Sequence, residues 1–233
     1  MPDYELIIGD AVEKLRRLPK GYADIAITDP PYNVGLEYAS TDDNKENYAE
    51  WCQEWLAELE RVCTGTIAIS VGQANLSLWA TIKKPTWWLA WWKPSAMGRC
   101  PVGFNNWEPI AVYKRSKINK QGCDVIRAPI VTTDKSVVGH PCPKPLDWAV
   151  KQIEMFAPPG CTIIDPFMGS GTTLVACKEL NRNGIGIEIN EKYCEIAKKR
   201  LKATCKPLFI DVSGAGKNLQ KNETQSVMPF DAV

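Results

Sequence analysis

The sequence has one histidine, no Cys-x-x-Cys pair, no internal repeat and no low-complexity tract. Solenoid and array architectures are thereby excluded. No apolar run approaches the ~20 residues that a helix needs to cross a bilayer. The opening Met1-Pro2-Asp3-Tyr4 lacks the charged-then-apolar pattern of a secretory leader. Nine cysteines make an odd set without zinc-site spacing, which reads as free thiols in a reducing compartment and not as a disulfide framework. A cytosolic (cytoplasmic) protein is expected. An excess of charge of either sign is also missing: the net charge is +1, against a uniformly basic nucleic-acid binder.

What is present suits one folded α/β-sized domain. The 233 residues are 45% hydrophobic and 24% charged, enough to bury a core without staples. The near-zero net charge conceals a split. Between Asp29 and Glu60 nine acidic side chains stand against one basic, and between Lys83 and Lys151 twelve basic against four acidic. A basic stretch of that size attracts phosphates, although such runs also decorate solvated faces.

Short β-like runs alternate with helical patterns. Glu5–Ile8, Asp24–Thr28, Thr66–Val71, Trp87–Lys93, Pro109–Lys114, Cys161–Asp165 and Gly184–Ile189 read as strands. Asp10–Leu18, Tyr48–Val62, Leu146–Phe156, Thr172–Leu180 and Glu191–Leu201 read as helices, the first capped by Asp10. In Tyr48–Val62, Trp51, Trp55, Leu59 and Val62 share one face, and Glu50, Glu54 and Glu58 another, a solvated one. Trp87-Trp88-Leu89-Ala90-Trp91-Trp92 is aromatic on both faces and predicts a strand buried on two sides, in the core or at a dimer interface. The segment 116–139 is polar, basic and weakly periodic, and 206–233 is polar and patternless. The alternation predicts an α/β fold, a mostly parallel twisted sheet with helices on both faces.

Two strand ends carry chemistry. In Asp165-Pro166-Phe167-Met168-Gly169-Ser170-Gly171-Thr172-Thr173, glycines between a strand and a helix let backbone amides approach a ligand at a helix N-terminus. Glu188, ending the next strand, is placed to accept ribose hydroxyls. A dinucleotide fingerprint would need glycine where Leu174 stands, and a P-loop would need Gly-Lys-Ser/Thr, which neither this loop nor Gly214-Ala215-Gly216-Lys217-Asn218 supplies. A zwitterionic nucleoside without phosphate fits best.

The second motif is Thr28-Asp29-Pro30-Pro31-Tyr32-Asn33. Its prolines stiffen the backbone and leave the Asp29 carboxylate and the Pro30 carbonyl as rigid acceptors. Two acceptors converging on an exocyclic NH₂ draw its lone pair out of ring conjugation and stabilise the charge that develops during attack. The Tyr32 ring offers a stacking surface for a planar base.

Together these residues closely resemble the DNA amino-methyltransferases of adenine N6 and cytosine N4. The likeness covers roughly residues 5–205, and the order, with Asp-Pro-Pro-Tyr ahead of Phe-Met-Gly-Ser-Gly, resembles the β group of that family. It implies a Rossmann-like methyltransferase domain over 1–205 with S-adenosylmethionine as cofactor and a short DNA-recognition insertion near 116–139, followed by a tail at 206–233. It further implies Asp29, Pro30, Pro31 and Tyr32 at the catalytic centre. Asp10, Asp165, Phe167, Gly169, Ser170, Gly171, Thr172 and Glu188 would bind the cofactor, with Lys144 nearby. His140-Pro141-Cys142-Pro143-Lys144-Pro145 is similar to the family element beside the methionine end of the cofactor, and Asn106-Trp107-Glu108-Pro109-Ile110 resembles a segment before a late strand of the catalytic half.

The implied reaction is direct methyl transfer to a base flipped out of double-stranded DNA, without metal or covalent enzyme intermediate. Asp at the first motif position leans towards adenine N6, with cytosine N4 the alternative. RNA and a protein glutamine amide are remoter substrates, and a non-catalytic nucleic-acid-binding module that keeps the fold is the rival of another class. Arg115, Lys117, Lys120, Arg127 and Lys135 would contact DNA phosphates. A homodimer and a separate cognate restriction nuclease are the further partners the resemblance allows.

Overall fold

The runs Ile25-Ala26-Ile27-Thr28 and Ile67-Ala68-Ile69-Ser70 are buried at every residue. A strand without a polar side needs cover on both faces, and that requirement organises the molecule. The structure, a computed structural model, describes residues 3–35, 45–94, 96–113, 118–130 and 143–204. In chain order they form β1 (Tyr4–Ile8), α1 (Ala11–Arg17), β2 (Ile25–Thr28), α2 (Tyr48–Val62), β3 (Ile67–Ser70), α3 (Leu76–Ile82) and β4 (Trp87–Trp92). There follow a hairpin of β5 (Gly98–Cys100) and β6 (Gly103–Asn105), then β7 (Trp107–Tyr113), β8 (Val125–Arg127), α4 (Leu146–Phe156), β9 (Thr162–Asp165), α5 (Thr172–Glu179), β10 (Asn183–Glu188) and α6 (Glu191–Ala203).

The large sheet has the order β1-β10-β9-β2-β3-β7-β4-β8. Its neighbours are parallel except around β7, which runs against both β3 and β4. On one face Leu15 of α1, Trp55 and Leu59 of α2 and Trp79 of α3 pack over Ala26, Ile67 and Ile69. On the other, Trp148, Ile153 and Phe156 of α4 and Ala176 of α5 cover Ile25, Ile27, Leu89 and Ile110. Leu174 and Val175 of α5 pack with Cys194, Ala197 and Leu201 of α6. Each fully buried Leu, Ile or Trp contributes about 1.5–3 kcal/mol of hydrophobic stabilisation, so the face of α2 carrying Trp55, Leu59 and Val62 anchors one whole layer.

Most element boundaries read from sequence hold to within two residues. The tryptophan run differs. Leu89 and Trp91 are buried, but Trp87 and Trp92 are 55% and 40% exposed. The outer neighbour of β4 is the short β8, which pairs only Ala90, Trp91 and Trp92. Cover is fuller on one face of β4 than on the other: Leu89 and Trp91 pack with Trp148 of α4, whereas Trp88 and Ala90 on the opposite face are half-buried and Trp92 is exposed. The strand β8 itself lies in the stretch read as pattern-poor, and α3 and the β5–β6 hairpin are further elements without a sequence forecast. No helix among the described residues is long and apolar enough to cross a membrane.

The topology fixes where a site can form. From β2 the chain crosses through α2 to β3, whereas from β9 it crosses through α5 to β10 on the opposite side. Adjacent strands whose connections diverge leave a crevice beyond their carboxyl ends. The Thr28 hydroxyl donates to Asp165 across that seam at 2.7 Å.

Candidate active site

A cavity of about 300 Å³ lies at this crevice, lined by residues from both motifs. The parallel strands deliver Asp10, Asp29, Asp165 and Glu188 to it just at or beyond their carboxyl ends. Because β7 runs the other way, its first residues reach the same edge and bring Glu108 into the lining.

On the glycine-loop side the partners are neutral. Asp165 accepts from the hydroxyls of Thr28 and Thr173, each at 2.7 Å, and from the amide of Phe167 at 3.1 Å. Burial nonetheless pushes its carboxyl up, from 3.8 to about 6. Gly171 has φ +79°, and a Cβ there would sit 2.7 Å from that of Ala197. Only glycine combines that left-handed turn with such close approach of α5 to α6. Beneath the loop, Arg200 donates to the Ser170 carbonyl at 2.7 Å, the Ser170 hydroxyl at 3.0 Å and the Thr172 hydroxyl at 3.1 Å.

Glu188 accepts from the amides of Gly169 and Asn190, each at 2.9 Å, which fixes its carboxylate at the cavity wall. Burial raises its carboxyl above the ordinary range. Each carboxylate oxygen has two acceptor positions, so Glu188 can still receive a diol. Phe167 meets Trp51 and Trp55 edge-on at 5.5 and 5.2 Å and forms an apolar wall. Asp10 caps α1 by accepting from the Glu13 amide at 3.0 Å.

The Asp-Pro-Pro-Tyr side is wired by charge. The Tyr32 hydroxyl donates to Asp29 Oδ1 at 2.5 Å and lies 3.1 Å from Glu108 Oε2. Lys144 Nζ reaches Asp29 Oδ2 at 2.9 Å and Glu108 Oε2 at 3.6 Å, and Lys93 Nζ reaches Glu108 Oε1 at 2.6 Å. Two carboxylates thus face two ammonium groups, a neutral set that tolerates enclosure where a lone charge would not. The buried Trp91 ring lies beside both ammonium groups, with Lys93 and Lys144 at 5.3 and 5.1 Å from its centroid.

The Asp29 side chain keeps 24% exposure, and it lines the cavity. Burial raises its carboxyl above the usual range although Lys144 opposes this. Burial also acts upward on Glu108, but Lys144 and Lys93 outweigh it and hold that carboxyl below its usual range. The Tyr32 hydroxyl is pushed far up by burial and by Asp29, so it remains a donor. Tyr48 donates to the Pro31 carbonyl at 2.8 Å, and Asn75 to that of Tyr32. At Gly72 a Cβ would stand 3.0 Å from the Tyr32 ring.

Of the residues singled out from sequence, Asp10, Asp29, Pro30, Pro31, Tyr32, Lys144, Asp165, Phe167, Gly169, Ser170, Thr172 and Glu188 all line this one cavity. Lys144 differs from the expectation in detail. Its ammonium faces Asp29 and Glu108, while its carbonyl accepts from Thr172 at 3.3 Å. Lys120 pairs with Glu154, eight residues beyond the start of α4 and about 12 Å along it. The Arg127 guanidinium lies 5.6 Å from the Trp92 ring centroid at the outer edge of the sheet. Neither lines the cavity. Arg115, Lys117, Lys135, His140 and Cys142 fall outside the described residues, as does 206–233.

Sequence reading missed Lys93, Trp91 and Arg200, which lie far from either motif in the chain. Glu108 had a signal, its place in Asn106-Trp107-Glu108-Pro109-Ile110, but no role.

The chain is similar to known proteins in sequence and in fold. Among curated proteins the Type II methyltransferase M.HpaI of Haemophilus parainfluenzae is 34% identical over 233 aligned positions, 85% of this chain and 74% of that protein. Among solved structures the M1.HpyAVI–SAM complex superposes with a TM-score of 0.67 at 26% identity, over 85% of this chain and 98% of that one. The PvuII DNA methyltransferase (cytosine-N4-specific) gives 0.64 at 17% identity, over 86% and 93%, a likeness of fold alone. A DNA methylase family model matches residues 23–199, from just before the first motif to well past Glu188. Two strand-end motifs converging on one crevice, and a match spanning both, make this chain a member of the N6-adenine/N4-cytosine DNA methylase family.

Proposed function

We propose that this protein is a DNA adenine-N6 methyltransferase that uses S-adenosylmethionine and acts on a base turned out of the duplex. The observation that carries the reading is Asp29, a cavity-lining carboxylate locked in place by Tyr32 and Lys144. The family membership and the SAM complex of M1.HpyAVI support the cofactor.

The residues present fit that cofactor. Glu188 is a fixed carboxylate suited to a ribose diol, and Phe167 with Trp51 gives an apolar wall suited to a purine. Gly169, Ser170 and Thr172 border the space between them and Asp29. When bound, the cofactor supplies a methyl group on a positively charged sulfur.

The chain's own part is to prepare the amine. Asp29 accepts an N–H of the exocyclic NH₂, and the Pro30 carbonyl is the second acceptor of the stiff turn. Holding both hydrogens turns the nitrogen lone pair out of conjugation and towards the methyl group. Lys144 aims Asp29 and favours its charged form against the upward push of burial. The amine nitrogen gains the methyl group and loses one proton, which passes to Asp29 or to solvent.

Adenine is favoured because Asp stands where the family resemblance associates Asp with adenine and Ser with cytosine. The same acceptors suit cytosine N4. The test is incubation with unmethylated DNA and labelled S-adenosylmethionine, digestion to nucleosides and mass spectrometry. Label on N6-methyl-2′-deoxyadenosine is the expected result. Label on N4-methylcytosine would overturn the base assignment, and label on neither base would overturn the reading.

A further inference from the structure

The Tyr32 hydroxyl has one proton and two carboxylate oxygens within reach, Asp29 Oδ1 at 2.5 Å and Glu108 Oε2 at 3.1 Å. It can donate fully to one of them at a time. The other oxygen of Asp29 is engaged by Lys144 at 2.9 Å. An amine that binds Asp29 must therefore share an oxygen already engaged by Tyr32 or Lys144, and the bond from Tyr32 weakens as two donors crowd Oδ1. A buried phenol displaced with nowhere to donate would be an unpaired donor, which is costly.

We propose that Glu108 is a positioning residue, the second acceptor for the Tyr32 hydroxyl, which leaves Asp29 for Glu108 when the target amine enters. This rests on the amino-methyltransferase reading given above. The exchange trades one carboxylate acceptor for another, so it costs little, and the proton stays on Tyr32 throughout. Glu108 is a fixed landing point because Lys93 holds its far oxygen at 2.6 Å. The side chain of Lys93 is only 8% exposed, and its backbone amide is bonded to the Asn106 carbonyl at 2.6 Å. Trp91, beneath that lysine, is pinned by its indole N–H to the Ala128 carbonyl at 2.8 Å. Lys144 reaches both carboxylates and can follow the hydroxyl by shifting its weight between them.

The arrangement gives Tyr32 two states. Before a base enters, it satisfies Asp29 and keeps that carboxylate aimed. Once a base enters, Glu108 takes the hydroxyl and Asp29 turns its oxygen to the amine.

The test is a double-mutant cycle of single-turnover methyl transfer with parent, Glu108→Gln, Tyr32→Phe and the pair. A neutral amide accepts more weakly than a carboxylate. Glu108→Gln should slow the step about tenfold with Tyr32 present and less than about twofold in the Tyr32→Phe background, a coupling typical of contacting groups. Cofactor affinity by calorimetry should stay within about twofold of the parent in every variant, since the exchange lies on the Asp29 side of the cavity. Equal losses in the two backgrounds, or a parental rate for Glu108→Gln, would overturn the exchange.

Should Tyr32→Phe turn over too slowly to time, the pH profile decides. Glu108 pushes the Asp29 carboxyl upward, so Glu108→Gln should move the acid limb of the rate to lower pH, and an unmoved limb would overturn the proposal. A parent that methylates no DNA base would sink the function and the exchange together. An active parent with equal losses would sink the exchange alone.

Discussion

Asp165 and Asp29 end adjacent strands and line the same cavity, yet they are held in opposite ways. Asp165 is surrounded by two threonine hydroxyls and a backbone amide, all short and all neutral. Asp29 is held by a lysine and a phenol that each have a second carboxylate to turn to. Neutral donors fixed to a sheet and a helix make a brace with one arrangement. Charged, shared donors make a contact that can be exchanged at low cost. One side of the crevice is built to keep its shape and the other to change partners.

The sharpest way to break the exchangeable side is Asp29→Ala. It should lower methyl transfer by about 10²–10³-fold or more, the scale of a lost transition-state partner, while calorimetry finds cofactor affinity within a few-fold of the parent. Transfer at the parental rate would remove Asp29 from the chemistry.

The brace should respond to pH instead. Asp165 titrates near 6 in the folded chain, above its ordinary 3.8, so the folded state holds that proton more tightly than the unfolded one. Its contribution to stability is fully present below about pH 4 and is lost as pH rises through about 6. Asp165→Asn cannot titrate. Denaturant unfolding should therefore find the parent losing stability relative to the variant by on the order of 3 kcal/mol between those pH values. Parallel curves would mean that Asp165 is ionised throughout.

Gly171→Ala adds a Cβ at positive φ against Ala197, and should destabilise by about 1–3 kcal/mol in the same assay, with the brace loosened and the Asp29 cluster intact. The smallest effect is expected at Lys120. Paired to Glu154 well down α4 from the cavity, Lys120→Ala should change stability by under about 1 kcal/mol. In a filter-binding assay it should leave the salt dependence of DNA binding unaltered, whereas a phosphate contact would lower the slope by about one.

The brace was legible in sequence where it is local, that is, in all but its bond from Thr28. Asp165, the glycines and Glu188 lie within one strand-helix-strand unit, and each residue type is dictated by a backbone requirement visible in the letters. The carboxylate of the exchangeable side was legible for the same reason, since Asp29 and Tyr32 share one rigid turn. Their partners were not. Lys93 and Glu108 come from the strands β4 and β7, and they meet only because β7 runs against its neighbours. Strand direction is a tertiary outcome that no period of apolar residues encodes. The tryptophan run misled for a related reason: an aromatic strand looks the same in sequence whether its second face is covered fully or only in part. In Lys144 the motif located the residue, but only the fold turned its ammonium towards Asp29.

The seam between β2 and β9 joins Thr28 to Asp165 across 137 residues of chain. On a ribosome adding ~5–20 residues per second, roughly seven to thirty seconds separate the two. For that interval the side of β2 that will pair with β9 is an open edge of apolar strand, the kind of surface that recruits other chains. A central strand of the finished enzyme thus spends this interval as an edge. The two carboxylates stay apart until β9 is made, so a chain that stops short of it cannot display the assembled site.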